Sequence, residues 1–167
     1  MALPPLRSRV MTEFRAKRWL PTLAAICLMA FAAGCAKQPT NTGAGAATPG
    51  SPQDFAVNVG DRIYFSVDSS SIDATAAGIL NRQAAWLNKY PKYNITVEGH
   101  ADERGTREYN IALSARRANA TQSYLQSRGV ASNRMRTIAF GKERPVAVCD
   151  NESCWSQNRR AVTVLGN

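Results

Sequence analysis

The chain changes character near residue 54, and that change limits what can fold. The stretch WLPTLAAICLMAFAAGC, Trp19 to Cys35, carries no charge. It is followed by AKQPTNTGAGAATPGSPQ, Ala36 to Gln53, made of Gly, Ala, Thr, Pro and small polar residues. A segment with so little apolar surface cannot offset the entropy lost on ordering it. Any hydrophobic core must therefore come from residues 55–167, a length that suits one small domain. The eighteen residues from Ala36 to Gln53 behave as a coil of roughly 20–25 Å span and reach roughly 60 Å when stretched.

Arg7, Arg9, Arg15, Lys17 and Arg18 precede the uncharged run. A basic start, an apolar middle and a small-residue end describe an export signal. The run is also close to the length of a membrane-spanning helix, but Pro21 and the AAG ending fit cleavage. AAGC resembles a bacterial lipobox, in which the chain is cut before a cysteine that then receives lipid; Ala32 stands where Leu is usual. The resemblance implies that residues 1–34 are a signal peptide, that Cys35 is lipidated, and that residues 35–54 are a tether. Each buried acyl CH₂ contributes ~0.8 kcal/mol, so several chains hold a protein to a bilayer firmly. Ala36, in place of the Asp that retains such proteins at the inner membrane, implies the outer membrane.

Charge must be divided before it is interpreted. The segment before Cys35 holds five of the 21 basic and one of the 12 acidic residues, leaving 16 against 11, or +5, for the rest. A basic chain suggests nucleic acid; most of that argument goes with the signal, and an exported lipoprotein meets little nucleic acid. Once Cys27 leaves with the signal and Cys35 is lipidated, Cys149 and Cys154 remain, in CDNESC. In an oxidising compartment two such cysteines pair and staple a loop, contributing on the order of 2–3 kcal/mol. Free thiols are the alternative; a metal site would need more ligands than the single His of the chain offers.

DRIYFSVD alternates Ile63, Phe65 and Val67 against Tyr64 and Ser66, which predicts a strand with one buried face. From Asp73, a plausible N-cap, the spacing turns helical through Ala76, Ile79, Leu80, Gln83 and Leu87, until Pro91. YNITVEG predicts a second strand. A second helix is predicted over 106–127, capped by Thr106, with Ile111, Ala115, Ala118, Gln122 and Leu125 as its inner stripe and Gly129 as its stop. RMRTIAF and RRAVTVL complete the order β-α-β-α-β-β. Each helix is long enough for a crossover connection. The expected fold is α+β: a two-layer sandwich with helices on one face of a mixed sheet.

Between the second strand and second helix lies EGHADERGTREYN, Glu98 to Asn110, with charges of both signs. Helix N-termini bind anions. Asp102 lies just before this one, and Arg117 lies fifteen residues further along. Asn110 and Arg117, seven apart, fall within about 20° of each other on the helix surface. Asp102, Asn110 and Arg117 can converge on one end of the helix. A carboxylate beside a guanidinium suits a zwitterion, with Asp102 on an ammonium and Arg117 forked on a carboxylate.

EGHADERGTREYNIAL, then RRA, GKERP and NRRAV, resembles the peptidoglycan-associated lipoprotein family, within the broader class of OmpA-like peptidoglycan-binding domains. That pattern, an Asp with Gly three, Asn eight, Leu eleven and Arg fifteen residues on, falls on Asp102, Gly105, Asn110, Leu113 and Arg117. The resemblance implies non-covalent binding of peptidoglycan through the diaminopimelate of its stem peptide, with no cofactor. It implies as partners a TolB-type periplasmic protein and other components of the Tol system, which joins the envelope during division. It adds Phe65 and Asp68 to the expected site, with Ser66 where the family has Asp. It places Asn158 and Arg159 at a second basic contact, and Phe140 where many relatives have Tyr.

Other readings compete with this one. One takes Asp102 and Arg117 as only a surface ion pair, contributing ~0–1 kcal/mol. A metal-assisted envelope hydrolase using His100, Asp102 and Glu103 lacks a second His or a recognisable pair of acids; His100 reads better as a packing residue, as do Trp86 and Trp155. A wall-independent adaptor is a third possibility.

Overall fold

The structure is a computed structural model and describes residues 47–166. The predicted signal peptide, Cys35 and most of the tether lie outside the described residues. Ordered structure begins earlier than residue 55. Ser51 caps a short helix, α1 (Pro52–Asp54), which continues as a π-helical turn over Phe55–Gly60. Asp54 Oδ2 accepts hydrogen bonds from Trp86 Nε1 and from the backbone N–H of Gly50, both at 2.8 Å. Tyr93 Oη donates to the Gly50 carbonyl at 2.9 Å. The last residues assigned to the tether are thus docked on the domain by an acid that apolar patterning cannot reveal.

Strand β1 (Arg62–Tyr64) is shorter than expected. Ile63 and Phe65 are buried, but the chain turns at Val67–Asp68 and leaves Val67 54% exposed rather than in the core. Asp73 caps α2 (Ala74–Lys89) as predicted, accepting from Ala76 N at 2.7 Å. β2 (Asn94–Gly99), α3 (Arg107–Ser127), a 3₁₀ turn (Ser132–Arg134), β3 (Met135–Ala139), α4 (Glu152–Asn158) and β4 (Arg160–Gly166) follow. α4 is an unpredicted addition.

The sheet is mixed and its order is β1-β4-β2-β3. β2 and β3, joined through α3, are parallel, with Ile95 opposite Met135. β4 is inserted antiparallel between β2 and β1, so that Ala161 lies between Gly99 and Ile63. One face carries Ile63, Ile95, Val97, Met135 and Ala161, buried against α2 and α3. The other presents Tyr64, Ile138 and Val164, each partly exposed. The expected α+β architecture, with its helices layered on a mixed sheet, is what the chain adopts.

The inner stripe of α3 follows the prediction at Ala118 and Leu125 but not at Ile111, Ala115 and Gln122, which are only half-buried. Its buried residues are Asn110, Leu113, Ser114, Arg117, Ala118, Thr121 and Leu125. Most are polar, so apolar spacing points to the neighbouring stripe. Contact between this helix and β2 is extremely close. A Cβ built on Gly99 would lie 1.9 Å from the Ser114 carbonyl oxygen. Gly99→Ala must therefore push α3 off the sheet, and we expect it to cost about 1–3 kcal/mol, read as a lowered urea midpoint with an unchanged slope.

Candidate functional site

The seven residues between Gly99 and Arg107 form the charged loop, and its own side chains shape it. Asn110 Nδ2 donates to the Arg104 carbonyl at 2.8 Å, and the Arg104 N–H donates to Asp102 Oδ1 at 3.2 Å. Gly105 has φ +86°, a left-handed conformation that glycine adopts without steric cost. Lys142 Nζ reaches across from the loop after β3 to the carbonyls of Glu103 and Gly105, at 3.0 and 2.9 Å. Thr106 caps α3 through Tyr109 N, as expected.

This loop, the start of α3 and the turn after β1 enclose a cleft of about 300 Å³. Seven of the eight predicted ligand residues line it: Asp68, Asp102, Gly105, Asn110, Leu113, Arg117 and Arg159. Phe65 instead lies buried beneath Arg117, 5.2 Å from its guanidinium carbon. Val67, Arg104 and Tyr109 complete the lining and were not predicted. Asp68 takes a positive φ of 53°, an unusual conformation for a non-glycine residue. The Tyr109 hydroxyl donates to its carboxylate.

Asp102 and Arg117 do not form a simple surface pair. Arg117 is completely buried. Its Nε, Nη1 and Nη2 donate to the carbonyls of Ser69, His100 and Ser66 at 2.8, 2.9 and 3.2 Å. The contact at residue 66 is to the backbone, so Ser in place of Asp leaves it intact. Burial lowers the Arg117 pKa to about 10, against which nearby Asp102 raises it. Three of its five N–H groups are thus used structurally, where the sequence suggested a fork open to ligand. Asp102, 7% exposed, pairs instead with Arg104 Nη2 at 2.6 Å and Arg159 Nη1 at 3.3 Å. Burial pushes its carboxyl up, but the hydrogen bonds from Arg104 and Arg159 outweigh that and hold it below the usual range.

Arg159 is tied on both sides. Its Nε donates to the Phe65 carbonyl at 3.0 Å, and its Nη groups meet Glu152 of α4. Asn158 is not among the residues that line the cleft. It is buried and holds the preceding loop, accepting from Val146 N at 2.8 Å and donating to the Ala147 carbonyl at 2.8 Å. The structure joins Cys149 and Cys154 in a disulfide, with Cα atoms 5.7 Å apart, across the start of α4. Trp86 packs in the aromatic cluster, whereas Trp155 lies over Arg104 beside the cleft.

His100 is 2% exposed and stacks on Phe140, with ring centroids 5.4 Å apart. Neither of its ring nitrogens hydrogen-bonds to another described group. No cluster of three or more His, Cys, Asp or Glu residues suited to a metal occurs among the described residues. Burial, then the charges of Arg160 and Arg144, lowers the His100 pKa to about 4. The unfolded chain, with His near pKa 6.5, takes up a proton that the folded chain refuses. Stability contributed by neutral His100 is therefore full above pH ~6.5 and falls as pH drops towards 4, by on the order of 2 kcal/mol. Urea midpoints at pH 7 and 4.5 should differ less for His100→Gln than for wild type; equal pH dependence would remove this role.

Comparison with known proteins agrees with this geometry. A model of the OmpA family matches residues 64–159. Over 97% of this chain and 94% of the relative, 62% of residues are identical to the peptidoglycan-associated lipoprotein of Rhizobium meliloti. The chain belongs to the peptidoglycan-associated lipoproteins of the OmpA family. Another member, from Brucella melitensis, is 63% identical over 87% of this chain and 91% of its own. The crystal structure of the Burkholderia pseudomallei peptidoglycan-associated lipoprotein superposes with a TM-score of 0.66 at 36% identity, covering 70% of this chain and all of that one. The C-terminal domain of Helicobacter pylori MotB, also OmpA-like in fold, gives 0.60 at 25% identity over 64% of this chain and 84% of that one.

Proposed function

We propose that this chain is a non-catalytic anchor: an outer-membrane lipoprotein whose domain binds peptidoglycan through the diaminopimelate of the stem peptide. The observation that carries the reading is a single cleft of about 300 Å³ in which Asp68 and Asp102 face Arg104, Arg117 and Arg159. A free amino-acid centre offers an ammonium and a carboxylate together, and a cleft holding both signs of charge complements it. Asp102 holds the ammonium, the arginines hold the carboxylate, and Leu113, Val67 and Tyr109 contact the aliphatic chain. The names of the relatives point the same way.

Lipid on Cys35 supplies the other end of the anchor. With Gly50–Asp54 docked on the domain, the chain from Cys35 to Thr48 spans at most about 45 Å. That length limits how far the wall can stand from the membrane. A TolB-type protein and other Tol components are its partners in keeping the envelope joined during division. The test is co-sedimentation of the full-length chain with purified peptidoglycan sacculi, competed by a soluble diaminopimelate-bearing stem peptide. Competition is expected; retention in the supernatant without sacculus binding would end the reading.

A further inference from the structure

Three arginines surround Asp102, and they differ in freedom. Arg117 is wholly buried and bound to three carbonyls. The Arg159 side chain is 6% exposed and held by Phe65, Asp102 and Glu152. The Arg104 side chain is 39% exposed, and its guanidinium makes one ion pair among the described residues, the 2.6 Å contact with Asp102. Its face lies on the indole of Trp155, with the guanidinium carbon 4.3 Å from the ring centroid.

Trp155 is fixed in turn. Its Nε1 donates to Glu103 Oε1 at 2.9 Å, so it grips the residue next to Arg104 as well as Arg104 itself. It stands on α4, whose first turn is closed by the Cys149–Cys154 bridge and capped by Asn151. The same short helix supplies Glu152 to Arg159. Both cations on Asp102 are therefore tied to α4, one through a carboxylate and one through an aromatic face.

This matters for a zwitterion. In the free protein Arg104 occupies the carboxylate that an incoming ammonium needs. One cation must leave as the other arrives, and Arg104 is the most exposed and least tied of the three. A planar guanidinium can rotate over an aromatic face without losing its contact. We propose that Trp155 is a positioning residue: it keeps Arg104 at the mouth of the cleft, so that when a ligand ammonium takes Asp102, Arg104 turns to the carboxylate of the same ligand centre. The inference rests on the zwitterion reading above. It makes the Trp155–Arg104 pair the device that separates diaminopimelate from lysine, which has the ammonium without that carboxylate.

NMR titration of the full-length chain in detergent micelles tests this. The probes are two synthetic stem peptides identical except for diaminopimelate or lysine. Trp155→Leu should weaken the diaminopimelate peptide about tenfold and leave the lysine peptide unchanged; Trp155→Phe should keep most of the affinity. Once Arg104→Ala has been made, adding Trp155→Leu should cost nothing further. In the free protein, the Arg104 side-chain protons should show an upfield ring-current shift that Trp155→Leu abolishes and Trp155→Phe retains. Equal weakening of both peptides, additive losses in the double variant, or no loss in Trp155→Leu overturns the role of Trp155 while wild-type binding stands. A wild type that binds neither peptide overturns the zwitterion reading and this inference with it.

Discussion

Replacing Arg117 with alanine is expected to destabilise the domain by about 3–5 kcal/mol, not merely to empty the cleft. The guanidinium lies with no exposed surface among the carbonyls of Ser66, Ser69 and His100. Those carbonyls belong to two separate segments, the turn after β1 and the loop after β2. Removing their donor leaves up to three acceptors in a poorly hydrated place, at about 1–3 kcal/mol each before water relieves part of the loss. Arg117→Lys should recover only part of this, because one ammonium cannot reproduce a planar fork. Urea unfolding of the two variants is the measurement. A stability within about 1 kcal/mol of wild type for Arg117→Ala would return this arginine to a purely ligand-facing role. The expected result also warns that lost peptidoglycan binding in that variant is, in large part, lost folding.

Asp102→Asn should do the opposite, harming binding far more than folding. The substitution keeps the shape and the oxygen that accepts the Arg104 N–H, and removes the charge that pairs with Arg104 and Arg159. We expect affinity for a diaminopimelate-bearing peptide to fall about 100-fold, about 2.7 kcal/mol. Stability should fall by about 1–2 kcal/mol, since Arg104 loses its ion pair and Arg159 keeps only the one with Glu152. Calorimetric titration beside urea unfolding separates the two effects. Binding within threefold of wild type would show that Asp102 does not hold the ammonium.

The backbone plan was largely legible because the long helices and the central strands announce their own boundaries. Asp73 and Thr106 cap helices through backbone N–H groups, and the alternation around Ile63, Ile95 and Val97 marks buried strand positions. The failures share a cause. Where polar side chains do the packing, apolar spacing is silent. Arg117, Asn110 and Ser114 occupy the inner face of α3, and Asp54 and Tyr93 hold Gly50 to the body. The site itself was visible as a pattern of spacings: the five residues chosen on it, with Asp68 and Arg159 added by family resemblance, line one cleft. Which arginine is held by the backbone was not visible, because that depends on carbonyls brought from 48 and 51 residues away. Arg104 and Trp155 carried one available signal, a charged and an aromatic residue each adjoining a motif residue or a cysteine. That signal becomes specific only when α4 folds back over the loop.

The insertion of β4 between β1 and β2 sets an order of events in time. The Arg159 Nε bond to the Phe65 carbonyl joins residues 94 apart, and contacts of such separation form late. A chain with its first three strands in hand still cannot complete the sheet. The slot between β1 and β2 is filled only when residues 160–166 dock. Arg159, which helps hold Asp102, arrives with them. The cleft is thus finished by the same step that closes the sheet, and a domain still missing that strand leaves Asp102 without Arg159.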